Sequence, residues 1–420
     1  MPGAAARRLL GITLWLLGAH APARAGEFDL LGVLAGRGLV VQGQEAWLQG
    51  GYGRLTEGAG GAEQDASAVR GALHLGFDWR PGPTWLVHAH GVAQGEPSSS
   101  RGQRAGLVEA FVQFRPELTP RDAFRFRAGL FFPPTSLENT DSLWQSPYTL
   151  TLSALNTWLG EETRLGGLEA AWLRTGDRDR LELAATVFGA NDPSGALLAW
   201  RGWGMGERLT TVGEVLPLPP LTSLQPGGAF AGQRDDGSRP IDELDDRPGY
   251  QLRARFSRPE AFRVQASWYD NRADRGLHRG QYAWETRFAQ AGLEARFGPG
   301  FVLILEGALG DSGMGPGVSG GPQVQLRFRT GYALLSWSAG AWRLSARVDT
   351  FDNDDRDGTA EPDQETGRAV TAAAFWQPRS FLRVGLEYLE LWSSRPAAAF
   401  SGADPDTDAR RLQGEVRLRF

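Results

Sequence analysis

A strict alternation of apolar and polar residues runs through almost the whole chain after its first 25 residues. In the stretch 69–80, VRGALHLGFDWR, apolar side chains from Val69 to Trp79 fall on odd positions, and polar ones such as Arg70 lie between them. The stretches 122–130, 261–270, 324–330 and 341–349 repeat this pattern. Because successive side chains of a β-strand point to opposite faces, a period of two predicts strands with one apolar and one polar face. The chain is therefore predicted to be all-β, as a sandwich or a barrel.

The lengths of the connections distinguish these two folds. Short connectors rich in proline, glycine and charge lie at residues 80–84, 116–122, 175–180, 257–261, 297–300, 338–341 and 377–380. Long connections alternate with them, at about 56–68, 95–105, 132–160, 191–248, 271–282, 311–321, 352–366 and 393–409. A sandwich fold does not require short and long connections to alternate, whereas a transmembrane barrel has short turns on its periplasmic side and long loops outside.

The sorted connections predict a transmembrane antiparallel β-barrel of about sixteen strands. Seven short turns define seven hairpins, and a strand near 46–55 and a terminal strand at 410–420 complete the count. An even number closes the sheet without a free edge, and sixteen strands leave a water-filled lumen. Eighteen strands are the alternative, because residues 28–41 also have the character of a strand and the segment 191–248 has room for a further pair.

One mainly apolar run, at residues 9–18, differs from the rest of the chain. Arg7 and Arg8 precede it, and the small-residue site at 23–25 follows it. The run is shorter than the roughly 20 residues that span a bilayer, and its flanks are typical of a cleaved secretory signal. We therefore predict a signal peptide at 1–25 and a single outer-membrane barrel domain at 26–420. The sequence has no cysteine, which excludes disulfides and thiol chemistry.

The last residues, RRLQGEVRLRF at 410–420, form an amphipathic strand that ends on Phe420. Because a C-terminus is usually frayed, a complete strand here predicts that it pairs with the first strand and closes the barrel, with Leu412 to Phe420 facing lipid. Aromatic residues near strand ends fit the interfacial girdles of such a barrel. These residues are Trp79, Trp85, Trp172, Trp268, Trp342, Trp376 and Trp392.

Together these features resemble the outer-membrane porins of Gram-negative bacteria, over essentially the whole chain after residue 25. The likeness is greatest to the phosphate-selective and dicarboxylate-type porins and their uncharacterised relatives, and the stretch 126–162, FRAGLFFPPTSLENTDSLWQSPYTLTLSALNTWLGEE, carries it. Since the chain has no lysine, phosphate specificity is not carried over. Independently, Pro133 and Pro134 break the strand, and TLSALNTW (151–158) has the length for a turn or two of helix.

The resemblance implies a water-filled channel for passive diffusion of small hydrophilic solutes. It also implies an inward-folded constriction loop at about 132–160, a homotrimer, and a terminal Phe420 that the barrel-assembly machinery reads.

The polar strand faces supply many arginines to the predicted lumen. The predicted pore-lining residues are Arg70, Arg125, Arg127, Arg253, Arg255, Arg263, Arg327, Arg343, Arg347 and Arg417. Several occupy alternate positions on one strand, about 7 Å apart, so that their guanidinium groups form a ladder that attracts anions. The constriction loop offers acids opposite them, at Glu138, Asp141, Glu161 and Glu162. We expect a preference for small anionic solutes; a general diffusion pore, whose charges only keep the lumen wet, is the alternative.

Acidic residues concentrate in the predicted extracellular loops, at 235–246, 352–363 and 404–408. Asn353, Asp355, Asp357 and Gly358 match the first half of a calcium-binding loop, but its twelfth position is Gln364 rather than glutamate. We expect solvated charged loops and no cofactor. A loop-bound divalent cation that bridges these acids to anionic lipopolysaccharide is the alternative.

Three histidines come together if the connector at 81–83 closes its hairpin symmetrically. His74 then faces His90 directly and Trp79 faces Trp85, while His88 lies diagonal to His74 and Glu109 lies on the next strand. Cross-strand neighbours are about 5 Å apart, a spacing that suits a shared transition metal. The ordinary alternative is that the three histidines are polar lining that titrates near about pH 6.5.

An enzyme is not expected, since the sequence contains no H-E-x-x-H zinc motif and no phosphate-binding glycine loop with its lysine. A plugged barrel that acts as a surface binding or adhesion protein is a further alternative, because LPLPPL (216–221) is typical of a rigid extended segment. No nucleic-acid partner is expected.

Overall fold

The computed structural model describes residues 26–95, 104–233, 237–317 and 321–420, with only the backbone at residues 62 and 63. The predicted signal peptide at 1–25 lies outside these residues. The described chain forms a closed barrel of sixteen antiparallel strands, so the predicted fold class is confirmed.

The strands follow one another around the barrel in chain order, and the last pairs with the first. They are β1 (Glu27–Gly43), β2 (Gly61–Arg80), β3 (Trp85–Gln94), β4 (Ala105–Phe114), β5 (Asp122–Phe131), β6 (Leu165–Thr175), β7 (Arg180–Gly189), β8 (Gly249–Arg258), β9 (Phe262–Asp270), β10 (Trp284–Phe297), β11 (Phe301–Pro316), β12 (Pro322–Ala339), β13 (Trp342–Asp355), β14 (Glu365–Arg379), β15 (Leu382–Ser394) and β16 (Asp406–Arg419). Short turns lie at one end of the barrel, here called the turn end, together with Glu27 and Phe420. Long connections lie at the other end, here called the loop end.

The first strand is Glu27–Gly43, and the predicted strand near 46–55 is wrong. Residues 44–60 instead fold into the barrel, with a 3₁₀ helix at Trp47–Gln49. Trp47, Leu48 and Leu55 are buried there. This segment is apolar on too many sides for one face of a membrane strand, and its side chains reach a hydrophobic core instead.

The eighteen-strand alternative is wrong for the described residues. In the described part of 191–248, the two paired strands are Leu216–Pro217 and Gly237–Ser238, and this pair is separate from the barrel sheet. A second two-residue pair, Leu277–His278 with Gln281–Tyr282, is also separate from it.

Burial alternates along the strands as the sequence pattern predicts. On β16 Leu412, Val416 and Leu418 are exposed on the outer face, whereas Arg411 and Glu415 are buried on the inner face. The predicted girdle tryptophans also occupy outer positions on their strands. A closed sheet with an apolar outside and a polar inside is a transmembrane barrel of the outer-membrane type.

The C-terminus closes the barrel as predicted. Gly32 N donates a hydrogen bond to Phe420 O at 2.7 Å, and Phe420 N donates one to Gly32 O at 3.0 Å. A Cβ atom on Gly32 would lie 2.2 Å from the Phe420 ring. Glycine is therefore required at this position for the terminal aromatic ring to pack on β1.

The segment 132–164 folds into the barrel between β5 and β6, which confirms the predicted constriction loop. Its last part is helix α1 (Ala154–Glu162), and all residues of α1 are buried. The helix begins after Ser153, whose hydroxyl oxygen accepts a hydrogen bond from Asn156 N at 3.2 Å, an N-cap that satisfies a free backbone donor.

The long segment 191–248 also folds inward. Its Trp200 and Trp203 join a hydrophobic core in which the Trp158 ring of α1 lies 5.1 Å from Phe288 and 5.2 Å from Phe328. We call the three inward segments 44–60, 132–164 and 191–248, apart from residues 234–236, the plug. The plug fills much of the lumen toward the loop end.

None of the helices in the described ranges has the length and apolar composition needed to cross a membrane.

Candidate pore and its lining

The structure places nearly all predicted pore-lining arginines on the inner face of the wall. These are Arg70, Arg125, Arg127, Arg253, Arg255, Arg263, Arg343, Arg347 and Arg417. They do not form one continuous ladder, because most of them contact acids or aromatic rings of the same wall.

Arg327 is the exception, and its predicted position in the lumen is wrong. It lies on the outer face of β12, where it pairs with Asp311 at 3.0 Å. The neighbouring Leu326 and Phe328 are buried on the inner face. The apolar face of this strand turns inward because the plug makes the lumen hydrophobic at this height.

Two predicted arginines form an ion-pair cluster with wall glutamates. Arg125 lies 3.0 Å from Glu169 and 2.7 Å from Glu182. Arg253 lies 3.0 Å and 2.6 Å from the same two carboxylates. Two positive and two negative charges largely cancel at the distance of a passing ion, so this part of the wall contributes little to a ladder that attracts anions.

Three further predicted arginines also have partners. The Arg127 guanidinium carbon lies 4.6 Å from the ring centre of Phe111. Arg255 Nη2 donates to Pro134 O at 2.7 Å and so joins the wall to the constriction loop. Arg263 lies 3.6 Å from a carboxylate oxygen of Glu294.

Two of the four predicted loop acids face the basic wall. Glu138 Oε1 lies 2.5 Å from Arg347 Nη1, and Asp141 forms an ion pair with Arg419 of β16. The predicted field between loop and wall is therefore made of direct contacts, which fix the loop in the lumen.

The other two loop acids bond within the plug. Glu161 lies 2.7 Å from Arg201. Glu162 accepts hydrogen bonds from Trp158 Nε1 at 2.6 Å and Leu197 N at 3.0 Å. These two residues stabilise the contact between α1 and the segment 191–248 rather than line a path for solutes.

A polar cavity remains between the plug and the wall formed by β16, β1 and β2, and we call it the slot. Its charged lining residues are Arg37, Arg70, Arg208, Arg417, Glu57 and Glu207. Four arginines and two glutamates line the slot itself, and two glutamates behind this lining pair with its arginines: Glu415 with Arg37 and Arg417, and Glu214 with Arg208. The remaining lining includes His74, Gln94, Gln145 and the apolar side chains Leu48, Trp144 and Leu209.

The slot arginines differ in how firmly they are paired. Arg37 lies 2.7 Å from Glu415 and also pairs with Glu207. Arg70 has a looser partner, since its Nε lies 3.5 Å from Glu57. Arg70 is thus the slot arginine with the longest ion-pair distance and the one best able to contact a solute.

Sequence reasoning missed Arg37, Arg208, Glu57 and Glu207. Arg37 lies on the strand whose bounds were predicted wrongly, and it shares the inner face with the apolar Leu39 and Val41, so that the sequence pattern does not mark this face as polar. The other three lie in inward segments that were predicted to lie outside the barrel.

A second cavity opens at the turn end beneath the constriction loop, and we call it the vestibule. Its charged lining residues are Arg343, Arg379, Arg383, Arg419 and Asp141. The loop residues 140–147 border both the slot and the vestibule.

The histidine hairpin has a different register from the one predicted. Val92, rather than His90, lies opposite His74, and the predicted pairing of Trp79 with Trp85 is also wrong. Four residues, 81–84, form the turn, because proline has no N–H for the strand ladder and shifts the first pair outward.

The three histidines divide into two pairings. His74 Nδ1 and His90 Nε2 lie 3.2 Å apart, and His88 Nδ1 lies 2.6 Å from Asp78 Oδ1. His90 also lies 3.9 Å from Glu109. Across the described chain these rings do not form a group of three convergent ligand atoms, so the shared metal site has no geometric support.

The calcium-loop pattern is not a ligand set in the structure. Asn353 is buried on the inner face of β13, where Trp203 Nε1 donates to its side-chain oxygen at 2.9 Å. Asp357 instead accepts hydrogen bonds from the backbone N–H groups of Gln325 and Thr359.

The described residues do contain one group of three carboxylates, formed by Asp192, Glu243 and Asp245. Asp192 Oδ2 accepts hydrogen bonds from Leu244 N at 2.5 Å and Asp245 N at 3.3 Å. Burial, together with the charges of Glu243 and Asp245, raises the pKa of Asp192 to about 7. A proton on Asp192 therefore relieves the repulsion among these acids near neutral pH.

No protein family model and no curated protein matches the sequence. Solved structures with a similar fold include DcaP, an outer membrane channel of Acinetobacter baumannii, at 12% identity and a TM-score of 0.52, with 96% of this chain and 99% of that chain covered. In-vitro folded OmpT, an outer membrane protein of Vibrio cholerae, is 10% identical with a TM-score of 0.51, and 95% and 98% of the two chains are covered. OmpF of Salmonella typhi is 9% identical with a TM-score of 0.53, and 94% and 98% are covered. The likeness at these identities is one of fold.

Proposed function

We propose that the chain is an outer-membrane channel of the porin type, through which small hydrophilic solutes diffuse passively, with a preference for anions. The observation that carries this proposal is the polar slot between plug and wall, inside a closed barrel whose outer face is apolar. DcaP, which shares the fold, is described as an outer membrane channel.

The path that we propose runs from the loop end through the slot and into the vestibule. Arg417 lines the slot, and Arg419, two residues further along β16, lines the vestibule. Arg417 Nη1 donates to Gln145 Oε1 at 2.6 Å, and Asp141 pairs with Arg419. A solute that crosses this point displaces or slides past the loop residues 140–147, so we expect a small single-channel conductance.

The anion preference follows from the balance of charge along this path. In the slot Arg70 is the arginine with the loosest ion pair, and the vestibule is lined by four arginines against Asp141. A narrow cavity with low-dielectric walls concentrates the field of such an excess, which raises the local concentration of anions.

Reversal potentials of single channels in a potassium chloride gradient test the preference. Wild-type channels should be chloride-selective, and Arg70→Gln should move the reversal potential toward zero. Arg258→Gln is the matched control, because Arg258 lies on the outer face near the turn end and pairs with Asp179. Cation selectivity of the wild type contradicts the proposed preference.

Swelling of liposomes in graded sugars tests the pore itself. Swelling that falls with sugar size is expected of the slot, whereas no swelling with any sugar means that the plug seals the barrel. The second result favours a surface binding or adhesion protein.

The proposal includes two expectations from the resemblance, a homotrimer and recognition of Phe420 by the barrel-assembly machinery, and one from the sequence itself, cleavage of residues 1–25. It also includes the absence of enzymatic activity. Native mass measurement in detergent tests the trimer, and sequencing of the mature N-terminus tests the cleavage.

A further inference from the structure

The outer wall has an alternating row of charges near its loop end. Asp270, Arg287, Asp311, Arg327 and Asp354 lie on the five consecutive strands β9 to β13, each directly opposite the next in the strand register. Alternate strand positions place all five on the outer face. A row of this kind cannot face the lumen, so solute passage does not explain it.

Further outer charges continue this row toward β16. Arg329 pairs with Asp352 at 3.1 Å, and Arg410 pairs with Glu390 at 2.8 Å. The Arg368 guanidinium carbon lies 5.3 Å from the ring centre of Trp392. We call the outer residues Asp270, Arg287, Asp311, Arg327, Arg329, Asp352, Asp354, Arg368, Glu390 and Arg410 together the outer charged band.

In two pairs of this band the guanidinium group projects outward and its carboxylate partner lies against the wall. The Arg327 side chain is 60% exposed and that of Asp311 is 29% exposed. The Arg329 side chain is 76% exposed and that of Asp352 is 21% exposed. At these two pairs a molecule that approaches from the membrane therefore meets positive charge first, whereas the Asp354 side chain of the band is 50% exposed.

The band lies just beyond the apolar belt of the barrel. On the same strands, the outer residues closer to the turn end include the exposed side chains Leu309, Leu335, Val348 and Val370. Charges on the lipid face are costly in hydrocarbon and tolerated near the interface. The band is therefore at the level of lipid headgroups rather than of acyl chains.

The opposite side of the barrel has no such band. At the loop end of β1 to β7 the outer face presents the exposed apolar residues Val40, Val69, Leu107, Leu168 and Val187. Among the described residues, no arginine occupies an outer position at this height on β1 to β8. A general requirement of the interface would place charges all around, so the one-sided arrangement points to a specific partner.

We propose that the outer charged band binds the phosphate groups of the anionic glycolipid, lipopolysaccharide, in the outer leaflet. Guanidinium groups match phosphate oxygens with two parallel hydrogen bonds, and the carboxylates between them can share a divalent cation with the same phosphates. The proposal rests on the outer-membrane location given above, and it concerns a surface that takes no part in solute passage.

Binding of diphosphoryl lipid A to the purified full chain in detergent, with magnesium present, tests the proposal. The variant Arg287→Gln, Arg327→Gln, Arg329→Gln should bind lipid A on the order of 100-fold more weakly, at roughly a fivefold loss for each arginine near a charged membrane surface. A lipid A analogue without phosphates should bind wild type and variant equally, and inorganic phosphate should not compete with lipid A.

Arg258→Gln is again the matched control, because Arg258 is an exposed outer arginine at the other end of the barrel, 3.0 Å from Asp179. Its affinity for lipid A should equal that of the wild type. The migration of unheated samples on gels verifies that each variant is folded. If the triple variant does not fold, lipid A binding is measured with Arg329→Lys instead, which retains the charge but not the paired hydrogen bonds.

Unchanged affinity of the triple variant, or an equal loss in Arg258→Gln, overturns the proposal. So does a triple variant that loses only its association with other copies of the chain while still binding lipid A, since the band is then a contact between copies. Single-channel conductance of the same variant should be unchanged, which separates this proposal from that of the pore.

Discussion

Arg347 joins the constriction loop to the wall, and its replacement by methionine should release the loop. Arg347 is buried on the inner face of β13, with Nη1 2.5 Å from Glu138 Oε1 and Nε 2.8 Å from Asp349 Oδ2. Its guanidinium also donates to Thr151 O at 2.7 Å and Leu152 O at 3.1 Å. Arg347→Met removes all of these contacts and leaves the Glu138 carboxylate buried inside the barrel.

The free-energy cost of Arg347→Met follows from the burial of the Arg347–Glu138 ion pair. Removing one member of a buried ion pair costs about 3–5 kcal/mol, because the remaining buried charge loses its counter-charge; Glu138 would keep only neutral donors, among them Ser153 N and Asn156 Nδ2. A loss of this size lowers the ratio of docked to released loop by roughly two to four powers of ten. The released loop no longer occupies the lumen, so that a wider path opens.

Single-channel recording and thermal unfolding of Arg347→Met measure this effect. We expect larger and noisier openings than in the wild type, and a lower unfolding midpoint. Arg263→Gln is the control, since Arg263 is an inner-face arginine that pairs with Glu294 of the wall. Combining Arg347→Met with Glu138→Gln should recover part of the loss, because only the Asp349 carboxylate then lacks a cationic partner, and it keeps the hydrogen bond from Ala154 N. If Arg347→Met has the same conductance and midpoint as Arg263→Gln, the loop is held by other contacts and the reasoning is refuted.

Three further substitutions test other parts of the structure. Burial raises the pKa of Asp192 to about 7, so the folded chain keeps a proton that the unfolded chain loses at about pH 4, and the stability that Asp192 contributes falls as the pH rises from about 4 to about 7. Asp192→Asn should therefore make the unfolding midpoint less dependent on pH between 5 and 8. An unchanged pH dependence would mean that other groups cause it. Glu182→Gln leaves Arg125 and Arg253 with one carboxylate fewer and, because this cluster lies away from the slot, should lower the unfolding midpoint while the reversal potential stays close to that of the wild type; Glu260→Gln at an exposed turn should change neither. Gly32→Val places a side chain where the Phe420 ring lies and should reduce the yield of folded barrel, measured on unheated gels. Gly36→Val is the control, because there is open space around Gly36. Equal yields of the two variants would show that folding does not need the packing of Phe420.

The strand pattern and the connection lengths were enough to predict the barrel, because both are local properties of the sequence. Each hairpin repeats the period of two, and both chain ends at one rim require an even number of strands. The first strand was placed wrongly because Trp47, Leu48 and Leu55 are as apolar as a membrane strand. Their partners lie in the distant segment 191–248, which a local pattern does not reveal.

The register of a strand pair and the side of the wall that each side chain faces depend on distant contacts, which the sequence pattern does not show. The hairpin that carries His74 and His90 is shifted by two residues because two prolines keep the turn out of the ladder. Arg327 was assigned to the lumen on the assumption that the polar side of every strand meets water inside. The plug reverses this at the loop end of β12, where Phe328 packs inward on Trp158 and Arg327 faces outward.

The proposed anion preference depends on which arginines remain available to a solute, rather than on how many face the lumen. Arg125 and Arg253 share Glu169 and Glu182, and Arg347 is enclosed by Glu138 and Asp349; removal of any of these three exposes a buried acid and disturbs the fold. The loosely paired Arg70 lies in the slot, and its loss changes the field there without breaking a network. Selectivity should therefore respond most strongly to Arg70→Gln with little change in the unfolding midpoint, whereas Arg253→Gln should lower the midpoint first. If Arg253→Gln instead changes the reversal potential more than Arg70→Gln, then ions pass along the β5 to β8 wall and not through the slot.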